Sequence, residues 1–420
     1  MKRFFAILIF CFLSTFAFAQ ADTTQHVISG RKNSIQQQKK TYVIMISVDG
    51  LRYDFVDKYQ AKNLMAFRTA GVQAERMVPS YPSLTFPNHY TLVTGLYPAH
   101  HGLVNNDFYD PKRKEFYKSS NKAKAEDGKW YGGTPLWVLA EQQKILTASF
   151  YWVGSEAPIK GIYPTYYYDY SEKIGIHQRI ETVVNWLKLP AEKRPHLITF
   201  YFPEVDHAAH NFGPDAAETQ RAVLFIDSAV NELNKAVKAT GLPVSFILVS
   251  DHGMVKVDTQ NPIPLPQAVD TTKFIIPPGG EILELYAKNK KHIPATYQSL
   301  KQSEHDYKVY TKANLPAYLH YGEKDDRYNR IGDILLIPDL PKVFRLGPGK
   351  IKPGQHGYDP TKVKEMNATF YAWGPAFKQH LKIPAFQNIN VYPVVTTVLG
   401  LKQTEKIDGN TTLAKQIIRK

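Results

Sequence analysis

The sequence predicts an α/β protein built on a doubly wound, mostly parallel sheet, with a smaller α+β insertion. Three observations carry that expectation. Four runs, TYVIMISVD (41–49), KILTASFYWVGS (144–155), HLITFYF (196–202) and VSFILVS (244–250), are almost continuously apolar and rich in β-branched or aromatic residues. A strand with one face in water would alternate, so these read as strands covered on both faces, as parallel sheets demand. Between the third and fourth lies a helical stripe of Val223, Ile226, Val230, Leu233 and Val237, spaced by three and four residues and so lying along one side of a helix. Three of the four runs also end at, or lead straight into, acidic and imidazole residues, and the carboxyl edge of an open α/β sheet is where ligands bind.

In chain order, MKRFFAILIFCFLSTFAFAQ has a basic start, an apolar run and small residues at Ala17 and Ala19. Residues 1–19 are expected to be a signal peptide, cleaved after Ala19, that sends the protein to the periplasm or outside the cell. The single cysteine, Cys11, lies inside it. The mature chain then has no disulfide and no zinc-thiolate site, usage that fits a bacterial periplasm better than a disulfide-stapled domain. No second apolar run is long enough to span a bilayer. Losing Lys2 and Arg3 takes the formal charge from +14 to +12, which favours anionic partners. The lysines are scattered, so the expected partner is a small anion and not stably bound nucleic acid. Residues 20–40 are polar and read as a disordered leader, leaving 41–420 as the folded domain with 258–350 as its insertion.

The first strand ends at Asp49-Gly50, and KNLMAFRTAG (62–71) has helical spacing with a closing glycine. Residues 82–106, PSLTFPNHYTLVTGLYPAHHGLVNN, hold Thr85 before a Phe-Pro step that is expected to break the backbone and display the hydroxyl, ahead of a helix through TLVTGL. An alcohol is a weak nucleophile at neutral pH and needs a base or a metal ion; no Ser-His or Ser-Lys pairing stands beside it. Gly133-Thr134-Pro135 reads as a helix start with Thr134 as cap. GIYPTYYYDY (161–170) reads as a tyrosine-rich loop able to line a pocket. Asp206 and His210 are four apart, which puts both on one face of a helical turn, with His207 pointing elsewhere. Pro214 reads as opening the next helix. The fourth strand ends in Asp251-His252-Gly253, GQHGYD (354–359) places His356 between turns, TFYAWGPAF (369–377) resumes the strand pattern, and VYPVVTTVLGL (391–401) reads as a final helix.

Asp49, Asp206, His210, Asp251, His252 and His356 make three carboxylates and three imidazoles, enough for two metal ions with Thr85 at an open position. Oxygen and nitrogen ligands without sulfur suit zinc, with manganese or iron as substitutes, and two such ions form the usual clamp for displacement at phosphorus.

These residues resemble the ectonucleotide pyrophosphatase/phosphodiesterases of the alkaline phosphatase superfamily. The resemblance runs from Tyr42 to about Leu413. It is most specific in TFPNHYTLVTGLYPAHHG (85–102), supported by DGLR (49–52), WVGSE (152–156), DHGM (251–254), LHY (319–321) with NRIGD (329–333), and QHGYD (355–359). It implies an alkaline phosphatase-like sheet and two Zn2+, one held by Asp49, Asp251 and His252 and activating Thr85, the other held by Asp206, His210 and His356. It implies that Asn106 donates to a phosphate oxygen, that Phe86 and Tyr170 sandwich a nucleobase, and that a phosphoryl-threonine intermediate releases nucleoside 5′-monophosphates. The chain departs from the family at Val205, Ala209 and Pro360, where proline, glycine and asparagine are usual; none is a ligand. Threonine monoesterases of the superfamily place Lys and Arg after the third motif. Residues 147–157 have neither, which points to a singly charged diester. The alternative substrates are lipid or choline-type phosphodiesters. A non-catalytic anion binder is a different class of protein and has no use for a reactive hydroxyl.

Overall fold

The computed structural model describes residues 23–419. Its centre is a nine-stranded sheet. In chain order the strands are β1 (Gln25–Val27), β2 (Tyr42–Val48), β3 (Val72–Ala74), β4 (Thr147–Phe150), β5 (Tyr166–Tyr168), β6 (Leu197–Phe202), β7 (Val244–Val249), β8 (Phe370–Trp373) and β9 (Leu381–Ile383). They lie in the order β1-β5-β4-β6-β2-β7-β8-β3-β9. All run the same way except β1, antiparallel to β5, and β8, antiparallel to β7 and β3. The sheet is therefore mostly parallel, as expected, and its middle is β6-β2-β7.

Every residue of β2 and β7 is buried, because helices cover both faces. On one side Ile44, Ile46 and Val48 meet the stripe of the helix Ala217–Lys238, whose Val223, Ile226, Val230, Leu233 and Val237 are at most 1% exposed. Each such side chain stabilises the fold by about 1.5–3 kcal/mol relative to leaving it in water. On the other side Val43 and Met45 belong to a second core with Tyr90, Leu92 and Val93 of the helix Thr85–Thr94 and Val391, Val394 and Val395 of the helix Val391–Leu399.

Several expectations are corrected. Residues 23–40 are not a disordered leader. β1 pairs with β5, and buried Asn33 ties the segment down: its Nδ2 donates to the carbonyls of Ala191 and Arg194, and its Oδ1 accepts from Leu146 N–H. The tyrosine-rich segment is partly strand, since Tyr166–Tyr168 forms β5. The second apolar run is strand only over Thr147–Phe150; beyond it Tyr151 and Trp152 stay buried at a bend. Pro135 is the cap position of the helix Leu136–Gln142, and Thr134 donates its hydroxyl to Glu405. Pro214 precedes its helix, which starts at Ala217. The expected signal peptide lies outside the described residues.

Residues 258–350 form a four-stranded antiparallel sheet, Phe274–Ile275, Leu283–Ala287, Ile334–Pro338 and Tyr307–Thr311, with the helix Ile293–Gln302 and its own core. Its inner face is part of the main core, through Leu319, Tyr321, Ile331 and Leu335. Buried Arg330 locks the joint by donating to Asp110 at 2.9 Å, the Gly102 carbonyl at 2.9 Å and the Trp130 carbonyl at 2.8 Å.

Candidate active site

The carboxyl ends of the three central strands deliver the expected residues to one place. Asp49 follows β2, Asp251 and His252 follow β7, and the helix Glu204–Phe212 after β6 presents Asp206 and His210 from one face. His207, one residue on, is half-exposed and stands 3.6 Å from Glu172, away from the others. Two glycines permit the close approach. Gly50 has φ +67°, and a Cβ there would lie 3.0 Å from Asp206 Cα. At Gly354 a Cβ would lie 2.1 Å from the Ala209 carbonyl oxygen, so only glycine lets the His356 loop pack on the Asp206 helix.

Thr85 opens the helix Thr85–Thr94, and here the sequence reading needs correction. The Phe-Pro step does not break the backbone, because Pro87 falls in the first turn, where its missing N–H has no carbonyl to bond. The helix start aims the Thr85 hydroxyl at the cluster, with Oγ1 3.1 Å from His252 Nε2. His252 Nε2 lies 2.9 Å from Asp251 Oδ2 and 3.5 Å from Asp49 Oδ1. Asp206 Oδ1 lies 3.4 Å from His210 Nε2 and 3.7 Å from His356 Nε2. The two halves touch where the rings of His252 and His356 stack at 3.6 Å.

Hydrogen bonding sets the tautomers. Nδ1 of His252, His210 and His356 each faces a backbone carbonyl, of Gly253 at 2.9 Å, Gly354 at 2.7 Å and Ser83 at 3.0 Å. A carbonyl only accepts, so Nδ1 carries the hydrogen and the Nε2 lone pair of every ring points inward, the arrangement of metal-ligating histidines. His210 and His356 bring their Nε2 atoms to 3.0 Å, a contact that calls for a cation between or beside them. Among the described residues two buried carboxylate oxygens here have no hydrogen-bond partner, Asp49 Oδ1 and Asp206 Oδ1, and Asp251 Oδ2 has only the imidazoles of His252 at 2.9 Å and His89 at 3.2 Å beside it. Orphaned buried charges of this kind are costly unless they coordinate metal. The donor set therefore fits divalent cations. Clusters of ligand atoms within 4.8 Å of one another comprise Asp206, His210 and His356; Asp49, Asp206 and His252; and Asp49, His89 and Asp251.

The charges are strongly coupled. Burial, with Asp251 and Asp206 nearby, pushes the Asp49 carboxyl well above the usual range. Burial acts the same way on Asp251, but His252 and His89 outweigh it and hold that carboxyl well below. Burial, with His252 and His210 beside it, drives His356 well below the usual imidazole value and keeps it neutral.

Beside Thr85 opens a cleft of about 480 Å³ lined by Phe86, Lys122, Tyr131, Tyr151, Trp152, Glu156, Tyr170 and Tyr201 among others. Phe86 and Tyr170, expected to flank a base, both line it, and Tyr170 is 45% exposed. Asn106 is tied to the start of the Thr85 helix: its Oδ1 accepts from Phe86 N–H at 2.9 Å, which leaves its Nδ2 hydrogens to donate. The one cation among the lining residues, Lys122, is 2.6 Å from Asp169 Oδ2.

Three residues in these shells were not singled out from sequence. Tyr201 donates to Asp49 Oδ2 at 2.6 Å while its ring forms cleft wall. Glu156 accepts from Tyr170 N–H at 2.6 Å and is pushed by burial up to about 7. His89 is discussed below. Tyr201 lies in a nearly continuous apolar run and is the one half-buried position of β6 only in the structure; for the other two no sequence signal exists beyond their motifs.

A family model described as type I phosphodiesterase/nucleotide pyrophosphatase matches residues 43–359. Ectonucleotide pyrophosphatase/phosphodiesterase family member 1 of Rattus norvegicus is 32% identical over 373 residues, covering 85% of this chain and 40% of the rat protein. The venom phosphodiesterase of Crotalus durissus collilineatus is 32% identical over 374 residues, covering 86% of this chain and 44% of its own. The chain thus spans less than half the length of the curated relatives it matches. Among solved structures, human ectonucleotide pyrophosphatase/phosphodiesterase 5 superposes with a TM-score of 0.84 at 25% identity, covering 90% of this chain and all of the other. The murine form gives 0.84 at 26%, and one such structure is an inactive threonine-to-alanine variant in complex with AMP.

Proposed function

Because the chain belongs to the type I phosphodiesterase/nucleotide pyrophosphatase family, we propose that it is an exported two-zinc hydrolase. Its substrates are nucleotide phosphodiesters or pyrophosphates, which it cleaves through a phosphoryl-threonine to release nucleoside 5′-monophosphates. The observation that carries this is the meeting of the Thr85 hydroxyl with three buried carboxylates, two of them with an orphaned oxygen, and three inward-facing imidazoles at the mouth of an aromatic cleft.

Asp49, Asp251 and His252 would hold one zinc, and Asp206, His210 and His356 the other. When bound, the ions lower the pKa of a hydroxyl and offset negative charge on phosphoryl oxygens. The chain's own groups do the rest. Thr85, fixed at a helix start, presents Oγ1 for attack on phosphorus, forming the Thr–O–P bond as the leaving-group oxygen departs. Asn106, with Oδ1 already engaged, donates from Nδ2 to a non-bridging oxygen. Phe86 and Tyr170 flank the base, which sets the phosphorus beside Thr85 and not deeper in the cleft. Water entering from the vacated side cleaves the threonine ester. Among the described residues Lys122 is the one cation lining the cleft, and it pairs with Asp169, an arrangement that favours a diester over a monoester with its second phosphate charge. The AMP held by the murine relative is the product expected here from an adenylate diester.

The test is hydrolysis of p-nitrophenyl thymidine 5′-monophosphate, p-nitrophenyl phosphate and p-nitrophenyl phosphorylcholine, with and without a zinc chelator, beside Thr85→Ala. The proposal expects the nucleotide ester to be preferred, activity to vanish on chelation, and Thr85→Ala to lose on the order of 10³-fold or more in rate while keeping its metal. Preference for the choline ester would keep the chemistry and move the substrate to lipids. Preference for the monoester would overturn the argument from Lys122.

A further inference from the structure

His89 is fully buried, one helical turn beyond Thr85. Its Nδ1 lies 3.0 Å from the Thr85 carbonyl and 3.2 Å from Asp251 Oδ2. Both are acceptors, so Nδ1 carries the hydrogen. Nε2 lies 2.8 Å from the Ser47 hydroxyl on β2, which can donate to it. Both ring nitrogens are therefore used. His89 cannot be the metal ligand that its place beside Asp49 and Asp251 would allow, because Nδ1 has no lone pair to offer. The ring itself is held edge-on by Trp152 and Tyr201, each 5.3 Å away, and the His89 carbonyl accepts from Trp152 Nε1 at 2.9 Å. One imidazole thus joins the peptide of the nucleophile, a carboxylate on a different strand end, and the central strand between.

We propose that His89 is a positioning residue that sets the distance between Thr85 and Asp251, so that the hydroxyl and the carboxylate meet on the same cation. The inference rests on the two-zinc reading above. It separates His89 from an ordinary buried histidine, whose loss would cost stability without favouring one metal site over the other. The helix Thr85–Thr94 and β7 share no backbone hydrogen bond among the described residues; beside the contact of the Thr85 hydroxyl itself with His252, the Nδ1 face of His89 relates the backbone of the helix start to the strand end.

The test uses chelator-stripped protein titrated with zinc against a chromophoric chelator, for wild type, His89→Asn, His89→Gln and His89→Leu. Asparagine can place an N–H where Nδ1 was; glutamine reaches instead to the Nε2 position; leucine supplies neither. Glutamine and leucine are expected to weaken one zinc site about 10–100-fold and leave the other unchanged, while asparagine stays within about threefold of wild type. The kcat for p-nitrophenyl thymidine 5′-monophosphate should fall in the same order with KM nearly constant. If His89→Leu fails to fold, Ser47→Ala, which frees Nε2 but keeps the ring, should weaken the same single site. Equal zinc affinity in all proteins, or equal loss at both sites in every variant, would overturn the assignment. Absence of zinc uptake by wild type would instead overturn the two-zinc reading on which it depends.

Discussion

Zinc added to chelator-stripped protein should raise its melting temperature by about 10 °C, and the structure gives the reason for the size. The site buries three carboxylates, Asp49 and Asp206 each with an unpaired oxygen and Asp251 beside them, and sets two imidazole nitrogens 3.0 Å apart. The partners these groups do have, Tyr201 on Asp49 and His89 on Asp251, leave much of their burial uncompensated, so a bound cation compensates it and the unfolded chain, lacking the geometry, gains nothing. At zinc a thousandfold above Kd, each site adds about 4 kcal/mol, or about 8 for two. A chain of about 400 residues unfolds with an entropy near 0.8 kcal/mol/K, which converts that gain to about 10 °C. Asp206→Asn removes the only carboxylate of the His210/His356 half, and its zinc-induced shift should drop to roughly 5 °C. Melting is followed by tryptophan fluorescence in chelator and in zinc. A shift below about 2 °C in wild type, or an undiminished shift in Asp206→Asn, would refute the reading of these orphaned oxygens as ligands.

Phe86→Ala and Tyr170→Ala should each lower kcat/KM for the thymidine ester by about 5–150-fold, the range that corresponds to 1–3 kcal/mol of base stacking, and leave bis(p-nitrophenyl) phosphate much less affected; equal losses on both substrates would remove the base slot. Arg330→Ala should destabilise the fold by about 3–5 kcal/mol, since Asp110 would keep only the Lys112 and Arg113 N–H groups on Oδ1 and lose its buried counter-charge; denaturant melts that match wild type would show the joint to be unimportant. Glu284, buried at that joint, is pushed by burial from an ordinary 4.5 up to about 7. Below about 4.5 it is protonated in both states; between 4.5 and 7 the folded state keeps a proton that the unfolded chain has lost. Stability should therefore fall by about 3 kcal/mol as pH rises through that window, and Glu284→Gln should flatten the fall. Parallel pH curves for the two proteins would count against it.

Much of the site was legible in the sequence for a simple reason. Ligands at the carboxyl ends of buried strands announce themselves, because a run such as VSFILVS has no packing use for the Asp251-His252 that ends it. The same logic found Asp49, and helical spacing found Asp206 with His210. What failed was local reading where tertiary contacts decide. β1 is three residues in a polar stretch, and it is a strand only because β5 offers an edge. Pro87 reads as a breaker until the helix is seen to begin two residues earlier. His89, Tyr201 and Glu156 lie in apolar or motif contexts that give no hint of direction, and their roles come from what the fold places across from them. Residues 258–350 read as a separate insertion from composition, whereas Tyr321 and Leu335 are part of the main core, so removing the segment would expose that core.

The central claim is that Thr85 attacks phosphorus and is then displaced by water. The most direct test is the stereochemical course at a chiral phosphorothioate diester of a nucleoside, hydrolysed in ¹⁸O-labelled water. Two successive in-line displacements each invert the centre, so the thiophosphate product should show net retention. Net inversion would mean that water attacks the diester directly, with Thr85 a bystander at the metal site.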